Sequence, residues 1–274
     1  MTAMIDWAIE WRQQRENSPW VQKLKEKGIS NEDFWGSYKF ADTDDEYNDL
    51  IGYPGLILDR MVRFLNSDSV VLDIGAGAGA YTVPLAKVVG SVTVIEPSKV
   101  QSSRLLKRAE KNGLENIQII NKLWQDVDRS ELETYDLVNA AYCFHMPDIM
   151  PALQKMLDVT EGALTLVTRA DHGFKDVYER IFELYEERPE YIYLYGALLQ
   201  MGYPSNIEIF PRRYQLPLDM QTEILKSTYG LTPDMEQRLL VHLADTQRLV
   251  NRKNGIWVQR RYKDAMIWYC KNHS

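Results

Sequence analysis

VVLDIGAGAGAY, residues 70–81, is the stretch that decides the fold of this chain. Its first five residues place four apolar side chains around one acid, Asp73, which is typical of a parallel strand covered on both faces. Gly75, Gly77 and Gly79 follow, and their missing Cβ atoms let backbone amides approach a ligand closely. A helix that begins near Ala80 directs its N-terminal N–H groups toward the same point. We therefore predict a strand, a glycine turn and a helix that together form a ligand-binding edge.

A second acid ends the next predicted strand. Residues 91–96 read SVTVIE, and Glu96 follows Asp73 by 23 residues, about the length of one strand–helix–strand unit. An acid at this place can accept two hydrogen bonds from a ribose diol. The pair of acids predicts a nucleoside-bearing cofactor across the carboxyl ends of two neighbouring strands.

The order Asp73-x-Gly75-x-Gly77-x-Gly79 followed by Glu96 resembles the class I S-adenosylmethionine-dependent methyltransferases of the small-molecule type. The resemblance covers residues 45–170 well and the rest loosely. It continues at residues 123–126, which resemble the family's adenine-contacting loop. Residues 135–138 and 144–148 resemble strand four and the acceptor-side loop after it, and residues 163–168 resemble strand five. Two departures are visible. Leu123 stands where many members carry an acid for the adenine amine, and the Pro-Gly-Gly turn before strand five is reduced to Glu161-Gly162.

The resemblance implies S-adenosyl-L-methionine as cofactor and S-adenosyl-L-homocysteine as product. Asp73 is expected at the methionine ammonium, directly or through water, and Glu96 at the ribose. The full set of implied cofactor-binding residues is Asp73, Gly75, Ala76, Gly77, Gly79, Glu96, Pro97, Trp124, Gln125 and Ala140.

The acceptor side is harder to predict. In-line methyl transfer depends mainly on alignment of the reacting groups, and a base is needed only when the acceptor must lose a proton. The candidate catalytic residues are His145, in the loop above strand four, and Tyr142, just before that loop. Packing or orienting roles are the alternatives. Arg169 and Arg212 are candidates for binding an acidic substrate, with ion pairing as the alternative. The candidate substrate-pocket residues are Tyr38, Phe144, Asp171 and Tyr195.

Two other functions remain open at this point. Gly75, Gly77 and Ala80 satisfy G-x-G-x-x-[GA], the pattern of an NAD(P)-dependent oxidoreductase. Two features favour the methyltransferase instead. An acid stands two residues before the first glycine, and about 70 residues of the chain precede the glycine turn. A non-catalytic S-adenosylmethionine-binding protein is the second alternative.

The order of predicted elements indicates an α/β fold, a Rossmann-like, doubly wound sheet. We predict seven strands, mostly parallel with an antiparallel last strand, at 69–74, 91–96, 116–121, 135–142, 162–169, 206–215 and 264–270, and a further strand segment at 257–261. Helices are predicted at 47–65, 80–89, 98–112, 148–159, 176–187, 191–201, 219–228 and 233–251. Residues 1–45 form a predicted N-terminal helical cap, and residues 46–274 form the cofactor-binding domain, with a helical insertion at 216–253.

Composition narrows the class of partner. The net charge is −7 and no basic stripe occurs, which argues against nucleic acid and for a small-molecule acceptor. The two cysteines, Cys143 and Cys270, are too few for a disulfide framework and are expected to be buried thiols in a reducing, cytoplasmic compartment. No 18-residue apolar run and no secretory signal is present, so neither a membrane span nor export is expected. The four histidines lack paired metal-ligand spacing, and no metal site is expected. The sequence does not predict the oligomeric state.

Overall fold

The computed structural model describes residues 5–30, 53–171, 173–184 and 189–271. Its strands are β1 (Val70–Ile74), β2 (Ser91–Ile95), β3 (Ile117–Ile120), β4 (Tyr135–Ala141), β5 (Thr160–Asp171), β6 (Asn206–Pro217), β7 (Leu249–Arg252) and β8 (Gly255–Cys270). They form one sheet in the order β3-β2-β1-β4-β5-β8-β6, and β7 pairs with β8 alone. The predicted α/β fold with a mostly parallel sheet is confirmed.

The helices of the described residues alternate with the first five strands and then cluster after β5. They are α1 (Trp7–Asn17), α2 (Pro19–Lys27), α3 (Leu56–Met61), α4 (Thr82–Ala86), α5 (Lys99–Lys111), α6 (Ile149–Val159), α7 (Lys175–Phe182), α8 (Glu190–Gln200), α9 (Leu218–Tyr229) and α10 (Pro233–Asp245). Short 3-10 turns occur at Val62–Phe64, Trp124–Asp126 and Arg129–Glu131.

Strand β1 lies at the centre of the parallel part of the sheet. It pairs in parallel with β2 on one side and with β4 on the other, and β2–β3 and β4–β5 are parallel as well. The direction of winding reverses between β1 and β4, and open α/β sheets bind ligands at the carboxyl ends of the strands that flank such a point. The residues that follow β1, β2 and β4 therefore meet at one edge.

The other end of the sheet contains the antiparallel strands. The Lys271 amide, just beyond β8, donates to the Gly162 carbonyl near the start of β5 at 2.9 Å, so β8 runs against β5. Strand β8 is continuous over residues 255–270, whereas the sequence predicted two separate segments. The strand continues through the predicted gap because buried residues alternate there with more exposed neighbours. The buried residues are Val258, Arg260, Tyr262 and Asp264.

The prediction of a helix over 233–251 was wrong in its last turn. Helix α10 ends at Asp245, and Gln247 takes a left-handed φ of +54°. Residues 249–252 then pair antiparallel with β8 through the two-residue turn Lys253-Asn254. This hairpin is the reason that the sheet has eight strands instead of the predicted seven. Apolar Leu249 and Val250 are compatible with either structure, and pairing with β8 decides between them.

The chain divides into two compact units. The first unit comprises Met1–Thr168, Tyr191–Glu208 and Met266–Ser274, and the second comprises Arg169–Glu190 and Ile209–Ala265. Each has its own apolar core: in the first unit it is centred on β1, β4, β5 and α6, and in the second it joins α7, α9, α10 and β8. The predicted insertion at 216–253 thus belongs to a larger unit that also contains residues 169–190.

The N-terminal helices belong to the first unit. Asp6 caps α1 by accepting hydrogen bonds from the amides of Ala8 and Ile9. The Trp7 indole lies against α8 at Gly196, where a Cβ would overlap the ring. The cap predicted over residues 1–45 is therefore described as far as residue 30, and its remainder, including Tyr38, lies outside the described residues.

Candidate active site

The glycine turn after β1 places a backbone amide beside open space. Gly75, Gly77 and Gly79 all have a left-handed φ, of +69°, +56° and +84°. A Cβ on Gly75 would overlap Cys143, and one on Gly79 would lie 2.9 Å from Leu105 Cγ. No atom of the described residues lies within 4 Å of the position that a Cβ on Gly77 would take. Packing therefore explains the outer two glycines, while the middle one borders space that a ligand can use.

Glu96 joins the end of β2 to this turn. One carboxylate oxygen, Oε2, accepts the Gly77 amide at 2.8 Å, and the other, Oε1, accepts the Ser98 amide at 2.8 Å. Ser98 in turn caps helix α5 with its hydroxyl. The side chain is buried, with 6% of the residue exposed. A carboxylate offers about four lone-pair sites, so Glu96 is a residue of the kind that accepts from ligand hydroxyls.

Asp73 lies in a row of polar side chains that crosses three strands. Its Oδ1 accepts from Asn139 Nδ2 at 2.8 Å, and Asn139 Oδ1 accepts from the Thr165 hydroxyl at 3.0 Å. These three residues are direct register partners in β1, β4 and β5. The Thr82 hydroxyl of α4 donates to Asp73 Oδ2 at 2.5 Å. Sequence reasoning predicted Asp73 but missed its partners, although counting residues along the parallel strands places Asn139 beside it.

The Asp73 carboxyl has an unusual acidity. Burial is the largest cause that raises its pKa, to about 6, and the charge of Glu96 raises it further, while the bonds from Thr82 and Asn139 oppose the shift. The residue is 1% exposed. A buried carboxylate of this kind is stabilised by any cation that comes near it.

The predicted adenine loop is held in place by a lysine that the sequence did not reveal. Lys155 of α6 donates to the carbonyls of Trp124 at 2.5 Å and Val127 at 2.8 Å, and its Nζ lies 4.5 Å from the Trp124 ring centroid. Trp124 itself is 4% exposed, and its indole N–H donates to the Ala152 carbonyl. One face and the N–H of the indole are thus committed to α6, while neighbouring Gln125 is exposed.

The loop after β4 begins with a strained residue. Tyr142 has a φ of +56°, and its amide donates to the Val167 carbonyl at 2.9 Å. A bulky residue in the left-handed region costs free energy and persists where surrounding structure imposes it, often at functional sites. The strained backbone is in keeping with the prediction that Tyr142 is a site residue.

Helix α1 contacts the same loop through three side chains. The Trp11 indole donates to the Met146 carbonyl at 3.0 Å, Arg12 pairs with Asp148 at 2.7 Å, and Arg15 Nη2 lies 2.9 Å from His145 Nδ1. Trp11 is fully buried. The N-terminal helix therefore fixes the loop that the sequence analysis associates with the acceptor.

The contact with Arg15 determines the tautomer of His145. Because a guanidinium can only donate, His145 Nδ1 accepts, and the ring proton is on Nε2. Burial of the ring is the largest cause that lowers the pKa of His145, to about 4, and the Arg15 charge adds to it. Because the pKa is lowered, the imidazole is neutral at pH 7 and presents an N–H, although part of the residue is exposed.

The remaining predicted residues are dispersed. Pro97, Ala76 and Ala140 lie directly beside the site residues in sequence, at the ends of β2, β1 and β4. Phe144 is 1% exposed and the partly buried Tyr195 packs against the same core, and the role of both in a substrate pocket stays a prediction. Asp171 ends β5 in the second unit, where it accepts the Gly173 amide at 3.1 Å.

The cysteines differ from their predicted environment. Both are free thiols and both are partly exposed instead of buried. Cys143 lies in the loop after β4, with its Sγ 3.2 Å from the Ile74 carbonyl, and Cys270 is the last residue of β8. Loop and strand-end positions leave one side of each thiol uncovered.

Two general features of the described part of the chain complete the picture. No helix there has the length and apolar character needed to cross a membrane. Across residues 5–30, 53–171, 173–184 and 189–271, no group of three or more His, Cys, Asp or Glu side chains is arranged to hold a metal ion.

Comparison with known proteins gives the family of the domain. Residues 71–162 match the family model described as "Methyltransferase domain". An "Uncharacterized protein" of Haemophilus influenzae is 27% identical over 164 residues, which are 58% of this chain and 60% of that protein. The match thus spans about three-fifths of this curated relative.

Solved structures share the fold at low sequence identity. A "putative methyltransferase" from Bacillus halodurans C-125 superposes with a TM-score of 0.55 at 15% identity, over 79% of this chain and 99% of that chain. The YcgJ protein from Bacillus subtilis gives a TM-score of 0.53 at 18% identity, over 79% and 98%. The predicted α/β fold is confirmed, and the match of residues 71–162 to a methyltransferase domain supports the predicted family.

Proposed function

We propose that this protein is an S-adenosylmethionine-dependent methyltransferase that acts on a small-molecule acceptor by in-line displacement. The observation that carries the proposal is the pairing of Glu96 with Gly77. A buried carboxylate at the end of β2 holds the amide of a glycine turn that borders open space. This is the arrangement that a nucleoside with a ribose diol requires.

The residues present fit this cofactor. Glu96 would accept from the ribose hydroxyls, and the open side of Gly77 would admit the amino-acid part. Asp73 would contribute negative charge toward the methionine ammonium, directly or through water, because both of its oxygens already accept from protein groups. Trp124 and Gln125 would flank the adenine. When bound, S-adenosylmethionine supplies a methyl group on an activated sulfonium, so the chain mainly needs to bind and orient.

On the acceptor side, His145 would act as a hydrogen-bond donor. Its Nδ1 lone pair is engaged by Arg15, which leaves Nε2–H for an acceptor oxygen or nitrogen. The predicted base role would require His145 to exchange this contact or to change tautomer. Tyr142, held at the end of β4, would orient the acceptor beside it.

The net negative charge of the chain and the contacts of α1 with the loop after β4 support a small-molecule acceptor. The chain carries 39 acidic against 32 basic residues, whereas a nucleic-acid substrate would favour a basic surface. Helix α1 covers the loop through Trp11, Arg12 and Arg15. A covered loop suits an enclosed acceptor better than an extended polymer.

The test is cofactor binding by wild type, Glu96→Gln and Glu110→Gln, measured by calorimetry and thermal shift. Glu110 is an exposed residue of α5 and serves as the matched control. A hydrogen bond to a charged group is worth about 1.5–3 kcal/mol, so Glu96→Gln should weaken S-adenosylhomocysteine binding by roughly 10- to 100-fold. The control should bind like wild type.

The ligand panel separates the alternatives. Stabilisation by S-adenosylmethionine and S-adenosylhomocysteine alone supports the proposal, because a ligand that binds only the folded state raises Tm. Stabilisation by NAD(P)H alone would favour the oxidoreductase. Binding without release of S-adenosylhomocysteine across a broad acceptor panel would favour a non-catalytic binding protein.

A further inference from the structure

The second unit contains a buried arginine without a carboxylate partner. Arg260 lies on β8 and is 7% exposed, on the buried face that also carries Val258, Tyr262 and Asp264. Its interactions with the described residues are two hydrogen bonds and two ring contacts, none of them with an acid. Buried charges in proteins are normally paired, because an unpaired one is costly.

The contacts of Arg260 leave one edge of the guanidinium unused. Nη1 donates to Gln221 Oε1 at 3.3 Å and Nη2 to the Tyr178 hydroxyl at 3.4 Å, both long bonds to neutral acceptors. The rings of Phe174 and Tyr262 lie 4.4 and 4.7 Å from the guanidinium carbon. The Nε–H is buried and has no acceptor in the part of the chain that the structure describes.

Gln221 provides a second buried donor beside the first. The residue is fully buried, and its amide oxygen must face Arg260 because a guanidinium cannot accept. The amide nitrogen, Nε2, therefore points elsewhere, and it too has no acceptor among the described residues. Two residues in direct contact thus each keep an unsatisfied buried donor, and such groups are unfavourable unless an acceptor meets them.

The surrounding charges do not neutralise Arg260. Arg169 adds positive charge near it. The one acid on the same face of β8 among the described residues, Asp264, is engaged by Arg212 in a two-point ion pair at 2.6 and 3.2 Å. This pair matches the alternative that the sequence analysis kept open for Arg212.

The lining of the cluster is otherwise aromatic. The Tyr178 and Tyr229 rings lie 5.2 Å apart, and Tyr178 also contacts Phe174 at 6.4 Å. Burial is the largest cause that raises the pKa of Tyr229, followed by Tyr178, so its hydroxyl stays neutral. The cluster combines a fixed positive group with flat apolar surfaces.

We propose that Arg260 and Gln221 form a binding site for the carboxylate of a small molecule with an aromatic body. The planar carboxylate matches donors on the Nε side of the guanidinium, while the Gln221 amide oxygen holds the guanidinium through Nη1. The rings of Phe174, Tyr178 and Tyr262 contact the apolar part.

The experiment uses benzoate as probe and benzamide as its neutral counterpart, with the full chain as wild type, Arg260→Met and Arg261→Met. Arg261 is the exposed neighbour on the opposite face of β8, so the control makes the same change one residue away. Wild type and Arg261→Met should bind benzoate and not benzamide in calorimetry. Arg260→Met should bind it at least about tenfold more weakly.

Folding of the variant is checked in the same samples. Removing a buried unpaired charge is expected to leave Tm unchanged or raised. If Arg260→Met does not fold, Gln221→Leu replaces it and should also weaken benzoate binding. Equal benzoate affinity in wild type and either variant would overturn the site, and binding of phosphate in place of benzoate would overturn the carboxylate assignment.

Measuring cofactor binding distinguishes failure of the proposed Arg260 site from failure of the proposed function. Wild type that binds S-adenosylhomocysteine but not benzoate would refute the site and leave the function standing.

Discussion

Replacing Asp73 by Asn should stabilise the ligand-free protein at neutral pH and weaken its binding of S-adenosylmethionine. The carboxyl is 1% exposed, and burial raises its pKa to about 6. Above that pH the folded protein holds a buried negative charge, whereas the unfolded chain holds a hydrated one. The substitution removes the buried charge and retains the shape of the side chain.

The magnitude follows from the shift in pKa and from the hydrogen bonds. A rise from 3.8 to about 6 corresponds to roughly 3 kcal/mol at neutral pH. Asn keeps an oxygen for Asn139, and the Thr82 hydroxyl can turn to accept from the new amide, but one N–H is left unpaired at a cost of about 1 kcal/mol. The net gain is about 2 kcal/mol, or about 4 °C in Tm for a chain of this length.

The sign with pH provides the sharper assay. A carboxyl whose folded pKa is raised destabilises the protein fully above about pH 6, and the penalty disappears as the pH falls below 3.8, where both states are protonated. Urea unfolding at pH 7.5, 6.0 and 4.5 should therefore show an advantage of Asp73→Asn that shrinks with acidity. Asp68→Asn, the same change at an exposed residue near β1, is the control and should show no such trend.

One outcome would refute this reasoning. If Asp73→Asn is less stable than wild type by the same amount at pH 7.5 and 4.5, the bonds from Thr82 and Asn139 outweigh the cost of burial. Unchanged affinity for S-adenosylmethionine in the variant would separately remove Asp73 from the cofactor site.

Four further predictions concern residues in and around the site. Gly196→Ala should destabilise the protein by about 1–3 kcal/mol because its Cβ overlaps the Trp7 ring, whereas in a Trp7→Ala background it should stabilise by up to about 1 kcal/mol since Ala favours helix; equal losses in both backgrounds in thermal unfolding would contradict this. Lys155→Met should cost about 2 kcal/mol in urea unfolding by leaving loop carbonyls unpaired, and an unchanged midpoint would count against it. His145→Asn should retain most S-adenosylhomocysteine release if the ring only donates, while a loss of about 10²-fold or more would restore the base role. Arg15→Met should raise the pKa of His145 from about 4 in an NMR titration, and an unchanged pKa would show that Arg15 does not act on the ring.

Local pattern was sufficient for the parallel part of the fold. The strands β1, β2, β3 and β4 begin and end within one residue of their predicted limits, because continuous apolar runs between turn residues have few other structures open to them. Helix α4 is shorter than predicted, Thr82–Ala86 against 80–89. Helix ends depend on caps and contacts that periodicity does not describe.

The antiparallel part was less predictable. Residues 249–252 form β7 because β8 is beside them, not because their own sequence excludes helix. Both Arg169 and Arg212 were visible as candidates for an acidic ligand, but Arg260 was not. An arginine in an alternating strand is expected at the surface, and only the packing of α7 and α9 residues around β8 buries it.

The sequence by itself determined the strand and glycine turn of residues 70–81, the place of Glu96, and hence the prediction of a nucleoside-bearing cofactor. These features depend on residues close together in the chain, so local geometry and spacing are enough to read them. The tertiary structure decided which side chains meet: Asn139 and Thr165 beside Asp73, Arg15 on His145, Lys155 under the Trp124 loop, and Gln221 against Arg260. Those contacts join residues that are far apart in the chain, and strand register and burial, which fix their distances and their acidities, exist only in the folded protein.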